Sequence, residues 1–443
     1  MEFITGVSEK KTVEISQILE GGLVGTRICV SGAIHRVRPM GEVIFVILRK
    51  AEGLLQCVWE DSVSPEEKPD FKGEETVAVT GVLRAEERAP MGVELLIEEI
   101  KVLSRPAEPL PFGISKKKVS ASLETKLSLR PISLRNPGER AKFRIQEGIV
   151  RGFRDYLHSK GFTEIHTPKI VARGAEGGSN VFKMDYFGKK AELAQSPQFY
   201  KQTMVGVFDR VFEVAPVFRA EKHNTVRHLN EYISMDFEMG YIESFYDIMD
   251  METGMLQYVM ELLGKEYGRE LSLLGAELPA ADKIPAVTFQ EAKKLVSEKY
   301  DRAIRSPYDL EPEEEALIGR YFKEEYGSDF VFVTHYPSRK RPFYAMDDPA
   351  DPKYTLSFDL LFRGLEITTG GQRIHQYGQI VKKMEERGME PEELQSYLMI
   401  FRYGMPPHGG LGIGLERLTM KLLGEQNVRE TSLFPRDVTR LEP

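Results

Sequence analysis

Five runs of strand-like alternation, RICVSGAIHRV, VIFVILRK, GLLQCVWE, ETVAVTGVLRAEE and VELLIEEIKVL, follow one another between Thr26 and Arg105. Apolar and β-branched residues recur with the two-residue period of a half-buried strand, and turn-forming residues separate the runs. Five short strands in so little chain point to a small closed barrel.

The commonest barrel of that size is the OB-fold, expected here over residues 25–105 behind an N-terminal extension of residues 1–24. The Pro-rich and then Lys-rich passage RPAEPLPFGISKKKVSAS reads as a linker, placed at 106–135. The period then changes. In AKFRIQEGIVRGFRDYLHSKG, Ile145, Ile149, Phe153 and Leu157 fall four apart on one helical face, with Gly161 placed to end the helix. The strand FTEIHTPKIV is expected next, then strands RVFEVAPVFRA and EYISMDFEMGYI and the helix YDIMDMETGMLQYVMELLG. Strands mixed with helices without regular alternation favour an α+β domain over residues 136–443, built on an antiparallel sheet flanked by helices. The polar, helical stretch at about 268–329 reads as a small insertion on the periphery of that sheet.

A chain of 443 residues exceeds one typical core, so two or three domains are expected. With 60 basic against 68 acidic residues, the net charge of −8 argues against a generic polyanion binder but leaves room for a local basic face. Cys29 and Cys57 are the only cysteines; both sit in apolar runs without metal-ligand spacing and are expected as buried thiols. No secretory signal pattern and no long apolar run is present, so a cytoplasmic protein without membrane contact is expected.

Two segments carry chemistry. FRAEKHNTVRHLNEY (218–232) places Arg219, Glu221, Lys222, His223, Arg227 and His228 on a loop longer than ordinary hairpin turns. Several cations and donors held over a sheet suit a polyphosphate, although a merely solvated charged loop fits the composition as well. GGLGIGLERLTMKLLG reads as a Gly-rich approach to a helix running from near Gly414 to Gly424, with Arg417 in the first turn. An arginine there opposes the helix dipole unless an anion meets it, while a Gly-rich turn before a helix is often only structural.

Together with the helix and strand ending in Pro168, these segments resemble, in order and spacing, the three signature motifs of class II aminoacyl-tRNA synthetases. The resemblance spans about Thr26 to Pro443. LAQSPQFYKQ, THYPSRKRPFYAM, FDLLFRGLEITTGGQRIH and FRYGMPPHGG are similar to aspartyl-tRNA synthetases of the archaeal and eukaryotic type, which lack the large bacterial insertion. It implies ATP and L-aspartate as substrates, Mg²⁺ as metal, tRNA as partner and a homodimer formed through the first motif.

Selecting aspartate over asparagine calls for fixed cations, and Lys201 and Arg373 match the family's two ligands for the side-chain carboxylate. By the same resemblance Glu176, Ser196, Gln198 and Thr369 complete the aspartate site. The resemblance implies that Arg219 clamps the ATP α-phosphate and the aspartate carboxylate, that Glu221 faces the adenine amino group and that Tyr232 stacks on the ring. It further implies Arg227, His228 and Arg417 for the outer phosphates, Leu229 and Gly414 at the ATP site, and Glu366 and Thr369 as magnesium ligands. Singly, Glu366 reads equally as a paired strand carboxylate and Tyr232 as an ordinary strand aromatic.

The barrel resembles the family's anticodon-binding domain, Phe45 matching a base-stacking aromatic and Gln56 a base-edge contact. His35 and Pro90 stand where enzymes accepting both tRNA(Asp) and tRNA(Asn) tend to carry His and Pro, and where tRNA(Asp)-restricted ones tend to carry Trp and Lys. A non-discriminating enzyme is therefore expected, its Asp-tRNA(Asn) feeding a tRNA-dependent amidotransferase. Ala33, Pro39 and Lys50 depart from the family pattern in the same barrel. The rival readings are a strictly tRNA(Asp)-specific enzyme, an asparaginyl-tRNA synthetase, a non-catalytic tRNA-binding paralogue and an amidating enzyme on the same fold.

Overall fold

The computed structural model describes residues 12–64, 70–175, 180–223 and 225–442. Strands β1 (Arg27–Met40), β2 (Val43–Arg49), β3 (Leu54–Glu60), β4 (Thr76–Ala85) and β5 (Val93–Ser104) close into a barrel in the order β1-β2-β3-β5-β4. Only the β3–β5 pairing is parallel. Alternation does the sorting: Ile44, Val46, Leu48, Leu55 and Cys57 point into the core, joined by Ile15 and Ile18 of a short helix, Ile15–Leu19. A register shift between Ile34 and Arg36 makes His35 the extra residue of a β-bulge. Cys57 is buried as expected, but Cys29 falls on the outer side of β1 and is only half-buried.

The expected linker is not uniformly irregular. Its second half carries two short helices, Leu123–Ser128 and Arg130–Ser133. Two compact units divide the chain, and the passage serves both, Leu123–Arg130 belonging to the second and Pro131–Pro137 to the first.

The second unit contains β6 (Thr163–Glu164), β7 (Ile170–Val171), β8 (Lys183–Tyr186), β9 (Lys189–Leu193), β10 (Arg210–Phe218), β11 (Glu231–Gly240), β12 (Ala286–Thr288), β13 (Phe330–Thr334), β14 (Ser357–Phe362), β15 (Leu365–Gln372) and β16 (His408–Gly414). Eight form one sheet in the order β12-β13-β14-β15-β16-β11-β10-β6, and β7-β9-β8 make a small separate one. The sheet is mixed rather than purely antiparallel: its six inner strands are antiparallel, whereas β12 and β6 join the two edges in parallel. FTEIHTPKIV yields only the short pieces β6 and β7.

One face of the sheet packs on helices Pro137–Ser159 and Tyr246–Glu266, with Ile145, Ile149, Phe153 and Leu157 fully buried against Phe212, Phe237 and Leu411. Along β11, Met235, Phe237 and Met239 enter that core, so Ser234, Asp236 and Glu238 face the other way. The same phase runs through β16, where Leu411 and Ile413 are core and Gly410, Gly412 and Gly414 lie beneath the open face. That glycine run is thus a central strand rather than a loop, and helix Leu415–Leu423 follows it between Gly414 and Gly424 as the sequence suggests. The segment expected to be a peripheral insertion is also part of the sheet: β12 extends its edge, and helices Phe289–Tyr300 and Pro312–Tyr326 bury a core against β13 and β14.

Candidate active site

The open face of β11, β15 and β16 forms the floor of a cavity of about 870 Å³. Ser196, Gln198, Lys201, Arg219, Glu221, Arg227, His228, Leu229, Tyr232, Glu366, Thr369, Arg373, Gly414 and Arg417 all line it. Glu176 lies outside the described residues.

At one end, the helix Gln198–Phe208 directs Lys201 into the sheet, where its Nζ lies 2.9 Å from Asp236 Oδ1 and 3.3 Å from Glu238 Oε2. The same ammonium donates to the Leu411 carbonyl at 2.8 Å. Arg373, just beyond β15, donates through Nε to Glu238 Oε1 at 2.9 Å and through Nη2 to the Gly410 carbonyl at 2.9 Å. Burial acts to raise the Glu238 carboxyl, but Arg373 and then Lys201 outweigh it and hold it below the usual carboxylate range. Two buried cations are therefore matched by two buried carboxylates, an arrangement in which each charge depends on the others. Asp236 and Glu238 were not among the residues singled out from sequence. Their signal is two acids at strand spacing inside an otherwise apolar run, SMDFEMG.

Beside this pair, Gln198 Nε2 and Gln195 Oε1 are buried without hydrogen-bond partners among the described residues. A donor and an acceptor left open in a cavity wall suit the polar groups of a small ligand. Beneath them Gln202 joins the His408 ring at 2.9 Å and accepts from Tyr397 at 3.0 Å; burial pushes His408 down to about 4, so it is neutral.

At the other end lies the long β10–β11 connection. Its base is closed by Arg219 N donating to the Asn230 carbonyl at 2.9 Å and Asn230 Nδ2 donating to the Arg219 carbonyl at 2.8 Å. The Arg219 guanidinium stands 6.0 Å over the Tyr232 ring. His228 Nδ1 meets Thr225 Oγ1 at 2.6 Å, and burial, then Arg417, lower its pKa. Arg227 pairs through Nη2 with Glu315 Oε2 at 2.6 Å, and its Nε is buried without an acceptor among the described residues. Arg417 donates to the carbonyls of Glu366 at 3.2 Å and Arg227 at 3.3 Å. Burial and then the neighbouring Glu366 push Glu315 up to about 7, with Arg227 opposing.

Strict alternation would send Glu366 and Thr369 to opposite faces of β15. A register shift against Leu360 and Leu361 restores them to one side, and Thr369 Oγ1 donates to Glu366 Oε1 at 3.2 Å. Asp359 is the cross-strand partner of Thr369 and pairs with Arg341 at 2.8 Å. Among the described residues no group of three or more His, Cys, Asp or Glu assembles to hold a metal. Glu366 and Thr369 offer hard oxygens for part of a shell, which fits Mg²⁺, an ion that keeps water and substrate phosphates as ligands.

The barrel residues belong elsewhere. His35, whose Nδ1 lies 3.2 Å from Arg49 Nη1, borders a separate hollow of about 570 Å³ with Lys72, Glu74 and irregular chain within 106–115. Phe45 and Gln56 lie on the outer side of β2 and β3, Gln56 donating to Glu94 at 2.8 Å, and Pro90 is exposed in the β4–β5 turn.

Known proteins match this chain at both levels. The family model for tRNA synthetases class II (D, K and N) matches residues 122–438, and that for the OB-fold nucleic acid binding domain matches residues 28–103. The chain is 48% identical to the aspartate–tRNA(Asp/Asn) ligase of Deinococcus radiodurans, over 95% of this chain and 96% of that one. It is 47% identical to the enzyme of the same name from Thermus thermophilus, over 95% and 97%, and 40% identical to the aspartate–tRNA(Asp) ligase of Pyrococcus horikoshii, over 95% and 97%. In structure it is similar to the asparaginyl-tRNA synthetase of Pyrococcus horikoshii complexed with asparaginyl-adenylate, with a TM-score of 0.88 at 30% identity, covering 96% of this chain and 98% of that one. The aspartyl-tRNA synthetase described for Leishmania major gives 0.86 at 30%, covering 100% and 97%. Backbone shape therefore does not separate the aspartate from the asparagine enzymes; side chains must.

Proposed function

The chain belongs to the class II tRNA synthetases of the D, K and N group, and from that premise we propose that it ligates L-aspartate to tRNA with ATP, charging both tRNA(Asp) and tRNA(Asn). The observation that carries aspartate is the pairing of Lys201 and Arg373 around Glu238. A β-carboxylate entering there offers two acceptor oxygens to two fixed cations already held by Asp236 and Glu238, whereas an amide would set its own N–H donors against theirs. Non-discrimination rests on His35 and Pro90, and on relatives named for tRNA(Asp/Asn) at 48% and 47% identity against 40% for one named for tRNA(Asp).

In the first step an α-carboxylate oxygen of aspartate attacks the α-phosphorus in line, the bond to the bridging oxygen of the β-phosphate breaks, and pyrophosphate leaves. Two anions meet, so the protein supplies position and neutralisation. Arg219 spans the α-phosphate and the aspartate carboxylate, while Glu221 and Tyr232 hold adenine. Arg227, His228 and Arg417 take the outer phosphates, His228, whose pKa burial and Arg417 lower, serving as a hydrogen-bonding group. Gln198 and Ser196 orient the amino acid, and Glu176 attracts its ammonium. Glu366 and Thr369 would hold Mg²⁺, which when bound would neutralise phosphate charge. The tRNA 3′-terminal hydroxyl then takes the aspartyl group and AMP departs.

The barrel binds the anticodon, Phe45 stacking on a base and Gln56 reading an edge. A second copy of the chain pairs through the motif that includes helix Pro137–Ser159, and the work is cytoplasmic; no described helix is long and apolar enough to cross a membrane. Asp-tRNA(Asn) passes to a tRNA-dependent amidotransferase. Charging of purified tRNA(Asp) and tRNA(Asn) transcripts with labelled aspartate tests this reading: both should be aspartylated, and charging of tRNA(Asp) alone would refute the wider tRNA scope.

A further inference from the structure

Helix Pro312–Tyr326, outside all three signature motifs, reaches the phosphate end of the cavity. One oxygen of Glu315, Oε2, accepts from Arg227 Nη2 at 2.6 Å and from the backbone N–H of Glu366 at 3.1 Å. A single carboxylate thus joins the β10–β11 loop to β15. The helix is seated by a backbone-to-backbone contact one turn further on. A Cβ at Gly319 would lie 2.5 Å from Gly364 N, and one at Gly364, whose φ is +72°, would lie 2.8 Å from Ala316 Cα. Only glycine at both positions lets the helix lie directly on the β14–β15 turn, and that approach brings Glu315 beside Glu366.

The arginine it holds sits on a long loop and has many rotamers of its own. Arg227 lines the cavity and keeps a buried Nε that has no acceptor among the described residues. Fixing one edge of a planar guanidinium fixes the direction of its other donors.

We propose that Glu315 is a positioning residue for ATP, holding the Arg227 guanidinium so that its remaining donors face the outer phosphates. The proposal rests on the assignment of Arg227 to those phosphates. Glu315 touches no reacting atom; it acts through Arg227, and the seat at Gly319 and Gly364 sets its place.

ATP–pyrophosphate exchange on the full-length protein tests this with Glu315→Ala, Glu315→Gln, Arg227→Ala and the double variant Glu315→Ala/Arg227→Ala. Misplacing Arg227 should raise the KM for ATP about ten-fold in Glu315→Ala while the KM for aspartate is unchanged. Glu315→Gln, which keeps an acceptor oxygen at the same reach, should recover part of the loss. The double variant should be no worse than Arg227→Ala alone. An unchanged ATP KM in Glu315→Ala, or single-variant effects that multiply in the double variant, would overturn the proposal while leaving the ligase reading intact. Should Glu315→Ala prove too unstable to assay, the Gln variant decides: a rise in ATP KM smaller than that of Arg227→Ala and absent in the Arg227→Ala background supports it, and a rise that persists in that background overturns it. No aspartate-dependent exchange in the unaltered protein would remove both readings together.

Discussion

Arg373 Nε and Glu238 Oε1 lie 2.9 Å apart on the floor of the cavity, and the other oxygen of the same carboxylate stands 3.3 Å from Lys201 Nζ. Glu238, Lys201 and Arg373 are all buried, so water does little to screen the charges of this group from one another. Glu238→Ala should destabilise the protein by about 3–5 kcal/mol, the usual cost of breaking a buried ionic group from one side. Urea unfolding measures it, and a loss indistinguishable from zero would mean that the charges are not interdependent.

Gly410 pairs with Glu238 across β11 and β16. A Cβ on it would lie 2.1 Å from the Phe237 carbonyl and 2.3 Å from Glu238 Oε2. Gly410→Ala should therefore push Glu238 off both cations, costing about 1–3 kcal/mol in overpacking. It should raise the KM for aspartate more than that for ATP in the exchange assay; equal effects would place the strain elsewhere.

Glu252, on helix Tyr246–Glu266, accepts from Thr368 Oγ1 at 2.6 Å, and its second oxygen is buried without a partner among the described residues. Burial pushes this carboxyl up to about 8, with Thr368 opposing and Asp359 adding to the rise. Between 4.5 and about 8 the folded state keeps a proton that the unfolded chain has released, so stability falls as pH rises through that window. Glu252→Gln removes the titration and should gain on the unaltered protein across it, by an amount on the order of a few kcal/mol. Denaturant unfolding at both ends of the window decides, and parallel stabilities would contradict the buried proton.

His35 is the extra residue of a bulge in β1 and Pro90 is exposed in the β4–β5 turn, so both can change without disturbing the barrel core. His35→Trp with Pro90→Lys should lower aspartylation of tRNA(Asn) relative to tRNA(Asp) and leave pyrophosphate exchange unchanged. An unaltered ratio of the two charging rates would detach tRNA scope from these positions.

What the sequence makes legible here is what has local punctuation. The spacing of Ile145, Ile149, Phe153 and Leu157 and the glycines at 414 and 424 define helices because period and cap are read within a few residues. The barrel is legible for the same reason, while the parallel edge strand β12, three residues long, has no period to show. Long-range partners leave no local trace: Glu315 meets Arg227 from 88 positions away, and nothing in EPEEEALIG distinguishes it from its acidic neighbours. Asp236 and Glu238 are hidden because an acid in a strand ordinarily faces solvent, and the bulge that unites Glu366 with Thr369 breaks the very alternation from which faces are read.

Aspartate and asparagine differ by one charged carboxylate, and the backbone fold is shared by enzymes for both. ATP–pyrophosphate exchange with each amino acid, on one preparation and without tRNA, measures the Lys201–Arg373 pocket directly. Exchange should depend on aspartate and be lower with asparagine by at least about 10³-fold, as expected of a site whose fixed cationic donors call for two acceptor oxygens and oppose an amide N–H. Exchange supported by asparagine and not by aspartate would contradict the account.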